Sequence, residues 1–247
     1  MARMVRGVPI PTGKEVSYSG RIFVSGLEAR WALLLDLLGV NWDFEPSHYQ
    51  LADKLWYKPD FYLPELHIWL EVKGVPFFRR SDALRKAVLS VAGQNPLPQR
   101  EHPYEESRFV LIGGEVKPPK DGCTPMHTML IRTKDPNVAA TAHTIFARTD
   151  EGWMLQRVTD AIMHFDARKV TRSHATDEVG NHLLKPPQAR QPPDPIVDFA
   201  YRTAARIPIV NNRFDVTKHR DAAELMIRRR AGRPLPPRSW PKNYSKI

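Results

Sequence analysis

The segment Ile68-Trp69-Leu70-Glu71-Val72-Lys73 narrows the folds open to this chain more than any other stretch. Its side chains alternate with a period of two. A strand here carries Ile68, Leu70 and Val72 on one face and Trp69, Glu71 and Lys73 on the other. A carboxylate and an ammonium on one side of an otherwise apolar strand need partners, because burying either alone is costly. Eleven residues before Glu71 stands Asp60, within Tyr57-Lys58-Pro59-Asp60-Phe61. Residues 62–70 read as the end of one strand, a turn containing Pro64 and the start of the next. If the two strands pair, Asp60 lies beside Glu71 and Lys73, and two carboxylates and a lysine converge on a small volume. The bland alternative is a solvated strand face or a cross-strand ion pair.

That convergence has a chemical use. Two hard carboxylates suit Mg²⁺ or Mn²⁺, which keeps several waters and takes phosphate oxygens as its remaining ligands. Such an ion activates a bound water and offsets charge developing on a phosphate under in-line attack. A lysine two residues along the strand can orient that water or stabilise the transition-state charge. The pattern Pro59-Asp60 … Glu71-Val72-Lys73 resembles the PD-(D/E)XK nuclease superfamily. The resemblance implies Asp60 and Glu71 as metal-binding acids, helped by the backbone carbonyl of Val72. It also implies Lys73 as the active-site lysine and Mg²⁺ (or Mn²⁺) as cofactor.

The flanking sequence extends the likeness. From Ser25 a helix is predicted, with Leu27, Trp31, Leu34, Leu35 and Leu38 at helical spacing and Gly39 in the place of a C-terminal cap. Members of the superfamily often open their core with such a helix, which carries a glutamate facing the metal, and Glu28 fits that place. Ser25-x-x-Glu28 is also a capping box, so Glu28 has two readings that do not exclude each other. Residues 40–46 alternate like a half-buried strand, and Glu45 is either a further acid near the site or the strand's end, bonding locally. Residues 81–93 read as a helix stopped by Gly93, and 108–114 as a buried strand before two glycines. The order helix, strand, strand, strand, helix, strand matches the superfamily's α/β core over residues 20–118, a restriction-endonuclease-like mixed sheet flanked by helices. An antiparallel hairpin followed by a helical crossover sets the last strand parallel. Related nucleases often carry a basic or amide residue on the second helix. Lys86 is the candidate and Arg85 its substitute, although a solvated helix face also accounts for either.

Beyond this core the sequence reads as appended parts: an N-terminal arm (1–19), an accessory region closing in a Pro-rich linker (119–195), and a basic, partly helical C-terminal extension (196–247). Residues 128–132 suggest a short strand, the alanine-rich stretch 137–148 a helix, and 153–165 a further element. Five prolines in 185–195 predict an extended linker. Residues 198–206 and 218–231 have helical composition, the second ending in Arg228-Arg229-Arg230.

The net charge of +10 and pI of about 9.8 fit a nucleic-acid partner. Residues 1–150 hold 19 Lys+Arg against 17 Asp+Glu, and residues 151–247 hold 18 against 10. The first part reads as the chemistry and the second as the electrostatic grip. Arg228, Arg229 and Arg230 either neutralise phosphates or form a solvated helix end. The single cysteine, Cys123, argues against a disulfide framework and a zinc ribbon, and the nine histidines lack compact ligand spacing. No run of eighteen apolar residues indicates a membrane span, and the N-terminus lacks the features of a secretion signal. The expectation is therefore a soluble, cytoplasmic, Mg²⁺-dependent nuclease acting on nucleic acid, with DNA implied by the resemblance. It is similar to small nucleases of phages and mobile elements. The competing reading is a catalytically inactive nuclease fold kept as a DNA-binding or structural module. A homodimer or larger assembly is left open.

Overall fold

The structure, a computed structural model, describes residues 4–5, 8–9, 15–74, 82–98 and 109–215. A hairpin of β1 (Val16–Tyr18) and β2 (Arg21–Phe23) leads into α1 (Gly26–Leu38). Ser25 caps this helix by accepting the Glu28 N–H at 3.2 Å. Gly39 closes it at φ 78°, donating to the Leu35 and Asp36 carbonyls. The apolar stripe expected for α1 is present, yet residues 31–38 are buried all round. Asp36, within that run, is satisfied by Tyr18 Oη donating at 2.7 Å and Trp42 Nε1 at 2.8 Å.

The central sheet begins with β3 (Asp43–Phe44), followed by a ribbon of β4 (Tyr49–Gln50) and β5 (Trp56–Tyr57). The chain returns to the sheet as the hairpin β6 (Phe61–Leu63) and β7 (Ile68–Val72), with Phe61 opposite Leu70 and Tyr62 opposite Trp69. Next, α2 (Ala83–Leu89) precedes β8 (Phe109–Gly113), which pairs parallel with β7 and sets Ile112 in register with Glu71. Four antiparallel strands continue the same sheet: β9 (His127–Arg132), β10 (Val138–Arg148), β11 (Trp153–Arg157) and β12 (His164–Asp166). The spatial order is β11-β10-β9-β8-β7-β6-β3, with β12 sharing the outer edge of β10. Then come α3 (Asp177–Leu184), α4 (Pro195–Arg206), β13 (Ile209–Val210) and β14 (Arg213–Phe214).

The alternation read from residues 68–73 separates two cores. Ile68, Leu70 and Val72 join Leu111, Met129 and Phe146 beneath α1 and α4. Trp69 joins Val110, Leu130 and Ala139 beneath α2 and α3. The protein is a mixed α/β fold with helices on both faces of the sheet. Gly113 and Gly114 mark close approaches. A Cβ on Gly113 would stand 2.8 Å from the Trp31 ring, and one on Gly114 2.1 Å from the Leu184 carbonyl oxygen. Trp31 Nε1 donates to the Gly114 carbonyl at 2.8 Å, which fixes the helix against the strand end.

Several expectations are corrected. Residues 138–148 form the longest strand rather than a helix. Alanine favours helix, but this segment is paired along both edges and buried on both faces, so sheet packing overrides propensity. Its neighbours β9, β11 and β12 continue the core sheet. Even the Pro-rich stretch pairs Gln188–Ala189 with Thr124–Pro125. Segments far apart in the chain also meet: β14 pairs parallel with β1, so residues 16–23 and 209–214 share the four-stranded sheet β13-β14-β1-β2. Arg30 donates to the Ala204 and Ile207 carbonyls, tying α1 to the end of α4. His127, near Cys123 in sequence, packs against Trp31, Phe146 and Tyr201, and burial pushes its imidazole down to about 3. Among the described residues, no helix is long and apolar enough to cross a membrane. Arg228, Arg229 and Arg230, with the helix expected over 218–231, lie outside the described residues.

Candidate active site

Asp60 follows Pro59 and lies one step beyond the cross-strand pair Phe61–Leu70, which brings it to the C-terminal end of β7. Its Oδ2 accepts the Val72 N–H at 2.7 Å, so the side chain bridges the hairpin. Its own carbonyl accepts the Glu45 N–H at 2.8 Å. Glu71 is buried on β7. Lys73 continues the parallel pairing one residue past β7, donating its N–H to the Gly113 carbonyl at 2.9 Å. From there its ammonium turns back. Lys73 Nζ stands 2.8 Å from Glu71 Oε1, 3.2 Å from Asp60 Oδ2 and 3.0 Å from the Val72 carbonyl oxygen. One cationic nitrogen thus gathers three oxygens, two from the acids of the motif and one from the backbone between Glu71 and Lys73. The shared contact with that nitrogen brings the two acids to one place.

Glu28 reaches the same neighbourhood from α1. Its Oε1 accepts from Ser25 Oγ at 2.9 Å, while its Oε2 is buried with no hydrogen-bond partner. The Glu28 carboxylate thus holds the capping serine while feeling the charges of Lys73 and Glu71. Burial raises the Glu28 carboxyl; Ser25 and the Lys73 charge pull it back, while Glu45 and Glu71 push it further up. Asp60 is pushed up to about 8, first by burial and then by the Glu71 charge, with Lys73 opposing. Burial alone would lower Lys73, but Asp60 and Glu71 hold its ammonium above the ordinary value.

Glu45 forms an ion pair with Lys58 at 2.5 Å. The two candidates on α2 part ways. Lys86 Nζ lies 6.0 Å from the centroid of the Tyr57 ring, whereas Arg85 is engaged by Asp53. Tyr57 itself has a place that sequence reasoning missed, since its buried hydroxyl donates to Glu71 Oε2 at 2.6 Å. The available signal was a hydroxyl-bearing aromatic three residues before the aspartate, on a strand too short to show a period. Burial, then the Glu71 charge and hydrogen bond, raise the Tyr57 phenol well above its ordinary value, so it stays a donor.

The donor set fits a hard divalent ion. Two carboxylates and a carbonyl already converge on one cation, and Mg²⁺ sites commonly use one or two carboxylates with water and phosphate completing the shell. The buried Glu28 Oε2 atom also lacks a hydrogen-bond partner. Among the described residues, no group of three or more His, Cys, Asp or Glu side chains is placed to hold an ion by itself. No family model, no curated protein and no solved structure matches the chain.

Proposed function

We propose that the protein is a divalent-metal-dependent nuclease with a restriction-endonuclease-like core of the PD-(D/E)XK kind, hydrolysing phosphodiester bonds in DNA. The observation that carries this reading is the convergence of Asp60 Oδ2, Glu71 Oε1 and the Val72 carbonyl on the single nitrogen of Lys73. It occurs at the end of a strand that is antiparallel to one neighbour and parallel to the other. The element order supports it as well: a helix bearing Glu28, three antiparallel strands, a crossover helix and a parallel strand.

On this reading Asp60, Glu71 and the Val72 carbonyl hold Mg²⁺ or Mn²⁺. When bound, the ion supplies Lewis-acid stabilisation of charge developing on the phosphoryl group. Lys73 sets its positive charge beside the phosphoryl oxygens and orients the attacking water. Glu28 offers its free Oε2 as an acceptor on the α1 side, and Tyr57 keeps Glu71 in one orientation. Lys86 adds positive charge on the α2 side. The second reading, an inactive nuclease fold serving as a DNA-binding or structural module, is favoured by one fact: Lys73 already forms an ion pair with each of the two acids.

The test is cleavage of single-stranded, duplex and branched DNA with Mg²⁺ or Mn²⁺, then with EDTA. Metal-dependent cleavage that EDTA stops, and that Glu71→Gln and Lys73→Ala each reduce by about a hundredfold or more, is the expected result. Failure on every substrate by folded protein leaves the module reading.

A further inference from the structure

We propose that Lys73 is a displaceable plug. In the free protein its ammonium holds Glu71 Oε1 and the Val72 carbonyl, oxygens that a divalent ion here would take, so lysine and ion compete. A nucleic-acid phosphate that draws the ammonium away then tightens the ion. This rests on the nuclease reading above and adds a coupling between its two ligands.

The argument begins with which oxygens are open. Glu71 Oε2 is taken by the Tyr57 hydroxyl at 2.6 Å, so Glu71 must present Oε1, the atom Lys73 holds at 2.8 Å. Asp60 Oδ2 is shared by the Val72 N–H and Lys73, which leaves Oδ1 of that acid to an ion, next to the ammonium. The Val72 carbonyl is also occupied by Lys73, at 3.0 Å. An ion taking these oxygens meets an ammonium already in their midst, and two cations at such a distance repel strongly where water is scarce. One of them must leave.

Lys73 is built to be the one that leaves. Its backbone is fixed by the bond to Gly113, so departure requires only side-chain rotation. Its side chain is 27% exposed, against 11% for Asp60 and 4% for Glu71, so it stands between the buried acids and solvent. Once displaced, the ammonium needs a new anion, and the phosphate of a bound strand is the one the reaction brings. Ion and nucleic acid therefore favour each other, and the coupling is reciprocal by thermodynamic necessity.

Three measurements test this. Mn²⁺ affinity of the free protein, by calorimetry, should tighten by about tenfold in Lys73→Gln, while Lys73→Arg, which retains the charge, should not tighten it. The affinity of a cleavage-resistant phosphorothioate duplex, read by anisotropy, should gain more from saturating Mn²⁺ in wild type than in Lys73→Gln, by about the same factor. In wild type, which avoids any question of a variant's folding, saturating Mg²⁺ should speed acylation of Lys73 as read by peptide mass spectrometry. Ion binding that Lys73→Gln leaves unchanged, or Lys73 acylation indifferent to the ion, overturns the plug while sparing the nuclease reading. No ion binding by either protein overturns the nuclease reading and the plug with it.

Discussion

The Tyr57 hydroxyl donates to Glu71 Oε2 at 2.6 Å, with the two residues 2% and 3% exposed. The ribbon β4–β5 makes this contact available by folding Tyr49 against Trp69, so that Tyr57 comes in behind the acid. One oxygen of Glu71 is thereby held from the protein side and the other is left to face Lys73.

Tyr57→Phe removes that donor while keeping the ring. The buried carboxylate oxygen loses its partner, and the protein should be destabilised by about 1–3 kcal/mol in urea denaturation. Cleavage should slow as well, because Glu71 no longer has one preferred orientation. Unaltered stability and rate would show that the contact organises nothing.

Glu28→Gln separates the two roles of Glu28. The amide keeps the size of the side chain and relieves a buried charge whose Oε2 has no partner, so thermal stability should hold or rise. Cleavage should fall. Ser25→Ala, which deletes the cap, should instead cost about 1 kcal/mol of stability. A Glu28→Gln protein with full nuclease activity would reduce Glu28 to a capping residue.

The pH dependence follows from Asp60, raised from 3.8 to about 8 chiefly by burial and then by the Glu71 charge. Its folded value exceeds the unfolded one. Stability from the protonated form is therefore complete below about pH 4 and lost as the pH climbs through about 8. A divalent ion competes with that proton. The rise in melting temperature on adding Mg²⁺ should grow between about pH 5 and pH 9. A metal-induced shift that is flat across this window would contradict the assignment of Asp60 as a ligand.

Basic residues should divide by position. Lys86→Ala, beside Tyr57, should weaken DNA binding and slow cleavage, whereas Arg85→Ala, already paired with Asp53, should do neither to a comparable extent. Replacing Arg228, Arg229 and Arg230 together should flatten the dependence of log affinity on log salt by up to about 0.9 per lost phosphate contact, with turnover at saturation intact. Equal slopes for wild type and variant would mark those arginines as solvated charge.

The residue pattern alone determined the β6–β7 hairpin and the meeting of Asp60, Glu71 and Lys73. Period-two alternation and a Pro-containing turn are local properties, and a register set by Phe61 and Leu70 carries its consequence one residue outward. The helix α1 was equally legible, since Ser25 and Gly39 supply its start and stop. The tertiary structure alone decided the rest. Residues 138–148 became a strand because other strands cover both of its edges, which outweighs the helical preference of alanine. Tyr57 came to hold Glu71 because a ribbon folds over Trp69. Segments far apart in the chain joined one small sheet because β14 finds β1 across most of its length. Each of these depends on which distant surfaces meet and bury one another, and spacing along the chain does not encode that.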